Sequence, residues 1–193
     1  MRRRALLLAA LPLPALAAAP SAARLKAGVF EPAQPAPEIA LKGSDGSELK
    51  LARFKGKFVL LVFGFTNCPE VCPTTLATLT QARKELGADA SDVQVVFLTV
   101  DPERDDLARL RTYLAAFDSS FVGGTDTPER LAAVQKRYGV VATKVPMPGG
   151  GYAVNHTSSV YLIDRAGRLR AMMPYGHEAK DFVHDLKLLL AAK

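Results

Sequence analysis

The chain is poor in several things, and each shortage excludes a class of protein. It has two cysteines in 193 residues, too few for a disulfide-stapled scaffold and too few for a zinc site built on four cysteines. It has no apolar run of the roughly 20 residues that a membrane-spanning helix needs; the longest, Ala5 to Ala19, is shorter and carries Pro12 and Pro14. It has no internal repeat and no dense basic patch interleaved with aromatics, so nothing marks a nucleic-acid surface. The net charge of +6 points the same way, because it falls to +3 once Arg2, Arg3 and Arg4 are removed with residues 1–19. Disorder is also excluded: about half of the residues are apolar and 23% are charged, a balance that lets a full core form.

What is present begins with a leader. A basic start, a short apolar stretch and a small-residue tail make residues 1–19 a candidate signal peptide, with an uncleaved anchor as the alternative. Residues 20–37 carry Pro20, Pro32, Pro35 and Pro37 among alanines and read as an extended tether. The domain is expected over 38–193. Ile39–Leu41 and Leu49–Leu51 flank Gly43-Ser44-Asp45-Gly46, a turn composition that predicts a hairpin. Phe58–Phe65 is continuously apolar, as a strand buried on both faces would be. A helix should follow, with Pro73 in its first turn, Leu76, Leu79, Ala82 and Leu86 on one face, and Gly87 as its stop. Val93–Val100 is a second buried strand, and Leu107, Leu110, Leu114 and Phe117 recur at helical spacing, Arg104 and Asp105 starting that helix. Phe121-Val122 reads as a short edge strand, and Thr127 opens a helix that ends at Gly139. Strands are expected at Val140–Val145, Val160–Ile163 and Leu169–Met172, with an amphipathic helix to close. This order predicts an α/β sandwich with a mixed central sheet, of thioredoxin type with an added N-terminal hairpin.

Chemistry concentrates at Thr66-Asn67-Cys68-Pro69-Glu70-Val71-Cys72-Pro73, where a buried strand gives way to a helix. Side chains at open α/β sheet edges of this kind commonly form sites, and a helix N-terminus stabilises thiolate. One helical turn between the cysteines would point both sulfurs the same way. Reduced, the pair suits a soft ion, chiefly Cu(I); oxidised, it can close a disulfide. An imidazole would complete a trigonal site and could also support Cu(II). His156 is the candidate, since a loop before a late strand of a thioredoxin-type fold lies beside the active-site turn.

These pieces resemble the Sco/SenC family of copper-handling, thioredoxin-like proteins. The likeness covers roughly residues 38–190 and rests on Phe54-Lys55-Gly56-Lys57, the cysteine segment, Thr99-Val100-Asp101-Pro102-Glu103-Arg104-Asp105, and His156 ahead of Tyr161-Leu162-Ile163-Asp164. The resemblance implies that Cys68, Cys72 and His156 bind one copper ion, as Cu(I) or Cu(II). It implies delivery of that copper to, or maturation of, the dinuclear site of cytochrome c oxidase subunit II. A copper donor protein and a thioredoxin-like reductant would be partners, at the periplasm or the outer face of the inner membrane, with a membrane tether as an option. Asn155 departs from the pattern, because the family often has an acidic residue before the histidine.

Rival readings stand beside each feature. The cysteines could form a small structural disulfide or act in a thiol–disulfide oxidoreductase or thiol peroxidase. Thioredoxin-type reductases usually have two residues between the cysteines, where this chain has three, and dithiol chemistry leaves His156 without a task. His156 could be a surface or capping residue. His177 and His184 read as ordinary, the former near a helix cap. Asp101 is either a turn residue before Pro102, or a group that supports the site or contacts a partner. Met147, Met172 and Met173 are soft donors that more often fill gaps.

Overall fold

The computed structural model describes residues 24–191. Among these residues lie ten strands and four α-helices. β1 (Gly28–Pro35), β2 (Ala40–Gly43) and β3 (Glu48–Lys50) come first, then β4 (Phe58–Gly64), α1 (Val71–Leu86) and β5 (Val93–Thr99). There follow α2 (Leu107–Ala115), β6 (Val122–Thr125) and α3 (Pro128–Arg137). β7 (Ala142–Pro146), β8 (Tyr152–His156), β9 (Val160–Ile163), β10 (Arg168–Met173) and α4 (Ala179–Ala191) complete the chain.

Eight strands form one sheet in the order β1-β10-β9-β4-β5-β6-β2-β3. β4, β5 and β6 run parallel at its centre, linked by α1 and α2. The flanking pairs are antiparallel, so the sheet is mixed. Every residue of β4 is buried, which explains its unbroken apolar run: helices cover both faces. α1 packs against α4 and buries Leu76, Leu79, Ala82 and Leu86, the face expected for it. It ends at Gly87, whose φ of 59° favours glycine. On the opposite side of β4, Phe63 meets Tyr138 at the end of α3 and Tyr161 of β9 at centroid distances of 5.5 and 5.9 Å.

The structure departs from expectation in four places. Residues 28–35 are not a tether: β1 pairs antiparallel with β10, Gly28 opposite Met172 and Pro35 opposite Arg168. An edge strand tolerates proline because one row of its N–H groups needs no partner, and a register shift between Val29 and Gln34 takes up Pro32. The buried carboxylate of Asp185 accepts from the N–H groups of Lys26 (2.7 Å) and Ala27 (2.9 Å) and fixes the lead-in to that strand. The signal-peptide reading of residues 1–19 falls outside the described residues. β6 is not an edge strand, since β2 pairs with it and carries β3 beyond. Asp106, not Arg104 or Asp105, caps α2, accepting from the Arg109 N–H at 2.7 Å. Finally, β8 was unforeseen. It pairs with β7 in a two-stranded sheet separate from the main one, with Ala142 opposite His156 and Pro146 opposite Tyr152.

Candidate metal centre

The parallel strands β4 and β5 end side by side, and the site is built where they stop. Phe65 continues β4 into the core, and the chain then turns through Thr66 to Glu70 before α1 begins. Asp105 shapes this turn. Its carboxylate has no solvent exposure and accepts from the Thr66 N–H (3.0 Å), the Thr66 hydroxyl (2.6 Å) and the Thr99 hydroxyl (2.7 Å). Arg109 closes the network from outside, 3.7 Å from Asp105 and donating to Thr66 and Asn67. A buried carboxylate satisfied in this way is a rigid anchor. Gly64 adds room: a Cβ there would come within 2.9 Å of the Cys72 sulfur and 2.7 Å of the Phe97 ring.

The cysteines occupy unequal positions. Both are free thiols; Cys68 is half-buried outside the helix, and Cys72 lies in its first turn with 2% exposure. The Cys72 N–H donates to the Cys68 sulfur at 3.3 Å, so Cys68 takes up a donor that α1 leaves unpaired. The hydrogen bond between the two thiols, helped by the N–H groups of Cys72 and Glu70 and by His156, pulls Cys68 down to about 5 against the opposing effect of burial. The same thiol bond pushes Cys72 up, reinforced by burial and by the negative charges of Cys68 and Asp105. The sequence points to thiolate character at both sulfurs; the structure favours it first at Cys68, which the Cys72 thiol stabilises by hydrogen bonding, while burial and that same bond disfavour it at Cys72.

His156 ends β8 and faces this pair. Its Nε2 is 3.7 Å from the Cys72 sulfur. Two donor atoms held by one ion at bonds of roughly 2.0–2.3 Å, as for zinc, are about 3.6–3.8 Å apart by trigonometry. The ring's Nδ1 lies 2.8 Å from the Thr157 carbonyl; an N–H must sit there to bond an acceptor, so the neutral ring turns its free lone pair on Nε2 toward sulfur. Phe65 packs against the imidazole, edge to face, with centroids 5.7 Å apart. Among the described residues, no three Cys, His, Asp or Glu side chains already stand at metal-holding separations. Cys72 links the three: its N–H meets the Cys68 sulfur and its own sulfur faces the His156 imidazole. Two thiolates and one imidazole, were they to share an ion, would make a soft, three-donor set that suits Cu(I) better than an ion that wants four ligands.

The other candidates are placed elsewhere. His177 bonds Asp181 at 3.1 Å beside the start of α4, and His184 bonds Asp185 at 2.9 Å. Met147 is exposed at the tip of the β7–β8 hairpin, while Met172 and Met173 belong to β10. Asp101 is more than a turn residue: fully buried, it accepts from the Tyr152 hydroxyl at 2.7 Å and pairs with Arg104. Sequence reasoning missed Asp105 as the anchor of the cysteine turn and Tyr152 as the start of the strand that ends on His156. The run Tyr152-Ala153-Val154-Asn155-His156 gives only a weak signal for that strand: Tyr152 and Val154, both strand formers, stand two residues apart.

The family model described as SCO1/SenC matches residues 31–191. The chain belongs to the SCO1/SenC family. It is 35% identical over 158 residues to the mitochondrial SCO2 homolog of Mus musculus, covering 80% of this chain and 62% of that protein; the chain thus spans less than two thirds of that relative's length. Among solved structures it resembles Bradyrhizobium japonicum ScoI with copper bound, at a TM-score of 0.73 and 36% identity, covering 80% of this chain and 98% of the other. It also resembles apo Sco1 of Thermus thermophilus, at a TM-score of 0.78 and 35% identity, with coverage of 86% and 97%. The thioredoxin-like mixed-sheet fold expected from the sequence is the fold of these family members.

Proposed function

We propose that this chain is a copper metallochaperone. It holds one copper ion through Cys68, Cys72 and His156, and it delivers copper to, or matures, the dinuclear site of cytochrome c oxidase subunit II. The observation that carries this reading is the approach of His156 Nε2 to the Cys72 sulfur at 3.7 Å, in a family whose relative from Bradyrhizobium japonicum was solved with copper bound. Three donors at the rim of a sheet suit a carrier, because a fourth ligand from a partner can enter and draw the ion away. A copper donor protein and a thioredoxin-like reductant acting on the cysteines complete the cycle. The proposed compartment is the periplasm or the outer face of the inner membrane, reached through the leader at residues 1–19. No helix of the described residues is long and apolar enough to cross a membrane.

A copper titration of the reduced domain tests this. The expected result is one Cu(I) per chain, abolished in Cys68→Ala and in Cys72→Ala. His156→Ala should weaken Cu(II) more than Cu(I), because two thiolates still hold the softer ion. A His156→Ala protein that binds both ions as the parent does would overturn the ligand set.

The inequality of the two thiols favours a second reading, a thiol–disulfide oxidoreductase or thiol peroxidase. Cys68, held near a pKa of about 5, would be the attacking thiolate and Cys72 the resolving thiol. Rapid turnover of a disulfide or peroxide that survives His156→Ala would select it over the carrier. The two readings join if the protein reduces its target's cysteines before metallating them.

A further inference from the structure

His156 does not sit in the main sheet. It ends the outlying β7–β8 hairpin, so the eight-stranded ladder does not set how near the imidazole comes to the sulfurs. The bonds beside it, Val141 N–H to the Thr157 hydroxyl (3.2 Å) and Thr157 N–H to the Val141 carbonyl (3.0 Å), close the base of the hairpin on itself. Val154 of β8 is buried in the core, and the hairpin's polar ties to the body gather at Glu103 and Arg104: Lys144 pairs with Glu103 at 2.6 Å. Arg104 donates from Nη1 to the Tyr152 carbonyl at 2.9 Å, and its guanidinium lies over the Tyr152 ring at 3.9 Å. Its Nε pairs with Asp101, which also accepts from the Tyr152 hydroxyl at 2.7 Å. Asp101 is held in turn, its N–H donating to the Thr99 hydroxyl at 2.9 Å. The guanidinium also lies 5.7 Å from the centroid of Phe65, the ring that packs against His156. Nη2 of Arg104 is buried without a hydrogen-bond partner. That arrangement costs free energy and persists because stacking and the fork of the other nitrogens hold the group where it is.

We infer that Arg104, locked by Asp101 and closed over Tyr152, is a positioning residue that fixes the distance between His156 and the two cysteine sulfurs. It touches no ligand atom itself. It decides whether the centre holds its ion through three donors or through two. This rests on the copper reading above and goes beyond it: imidazole ligation becomes a property of the turn at Asp101–Arg104, remote in sequence from His156. Releasing the latch removes the nitrogen ligand, which Cu(II) needs, and leaves the two thiolates, which suffice for Cu(I).

The test compares wild type, Arg104→Ala, Arg104→Lys, Tyr152→Phe and His156→Ala, with far-UV circular dichroism as the folding control. Each is loaded with Cu(II) and read by electron paramagnetic resonance for nitrogen coupling, then with Cu(I) and read for stoichiometry. Arg104→Ala should lose the nitrogen signal as His156→Ala does and bind Cu(II) about 10- to 100-fold more weakly, the usual cost of losing a group that orients a ligand. Its Cu(I) stoichiometry should remain one per chain. Arg104→Lys, which keeps the charge without the fork, and Tyr152→Phe should fall between Arg104→Ala and wild type. A folded Arg104→Ala with the wild-type nitrogen signal and Cu(II) affinity within about twofold of wild type overturns the inference. Should Arg104→Ala fail to fold, wild-type spectra in both Arg104→Lys and Tyr152→Phe overturn it equally. Failure of the copper reading looks different: wild type itself would show no nitrogen coupling, or His156→Ala would match it.

Discussion

The two halves of the site are built on different foundations. The cysteine turn sits where two central parallel strands end, with a buried carboxylate beneath it and a helix growing out of it. The histidine sits on a two-stranded hairpin outside the main sheet, whose first strand is largely exposed. The sulfurs are therefore placed by the centre of the hydrophobic core, and the imidazole by one buried residue of its strand, Val154, the Phe65 ring and a few polar contacts. That division suits a carrier. In the proposed carrier, the two sulfur donors would share the stability of the central sheet, while the imidazole donor would belong to a largely exposed hairpin that opens more readily. The exposed side chains of Val141, Val145 and Met147 agree with a hairpin that adds little core of its own.

The largest effect should come from the anchored half. Asp105→Ala would leave the Thr66 N–H and the hydroxyls of Thr66 and Thr99 buried without their acceptor. Loss of a buried, fully bonded carboxylate should cost on the order of 3–5 kcal/mol, measured as a lower urea midpoint at unchanged m-value. The cysteine turn should loosen with it, so copper stoichiometry falls even in the fraction that stays folded. Asp105→Asn keeps an acceptor and should lose less. An Asp105→Ala protein within about 1 kcal/mol of the parent would mean that the turn is held by packing, and the contrast between the halves would collapse.

A smaller effect separates the two sulfurs. Iodoacetamide labelling of Cys68 in the reduced protein should rise with pH through a midpoint near 5 and then level off, because only the thiolate reacts. Cys72, buried and pushed up by its neighbour, should label slowly at neutral pH. The chief cause of the Cys68 shift is the hydrogen bond from Cys72. Cys72→Ala should therefore move the Cys68 midpoint toward the ordinary thiol range, so that labelling at pH 6 slows. An unmoved midpoint would assign the shift to the helix N-terminus instead. Mass spectrometry of the labelled peptides reads both results.

The central elements were legible in the sequence because their patterns reflect burial. The run Phe58–Phe65 is apolar because both faces of β4 are covered, and the face of α1 follows the helical period. The proline-rich stretch at 28–35 misled, since its composition suits a solvated tether and its pairing with β10 is a long-range event invisible to local pattern. β8 escaped for a related reason. A short strand on an outlying hairpin has one clearly buried residue, Val154, and little alternation to show. Cys68, Cys72 and His156 were legible as residue types, and the resemblance of their surroundings to a known family drew them together. What held them was not: Asp105 and Arg104 read as ordinary helix-start residues, and only the fold reveals that one points inward under the cysteine turn and the other reaches across to Tyr152.

Phe65 belongs to both halves, and its substitution should give the smallest change. It extends β4 into the cysteine turn, yet its ring meets His156 edge to face and lies beneath Arg104. Phe65→Leu nearly conserves apolar volume, so the domain should lose about 1 kcal/mol. The lost aromatic contact is worth only about 0.5–1.5 kcal/mol in such pairs, but it acts where the imidazole must be held. Cu(II) affinity should therefore drop severalfold, while Cu(I) stoichiometry and the Cys68 labelling midpoint stay as they were. Parallel copper titrations and denaturant melts decide the matter. A loss confined to stability would make Phe65 part of the anchored half alone; a loss confined to Cu(II) would place the seam between the halves at this ring.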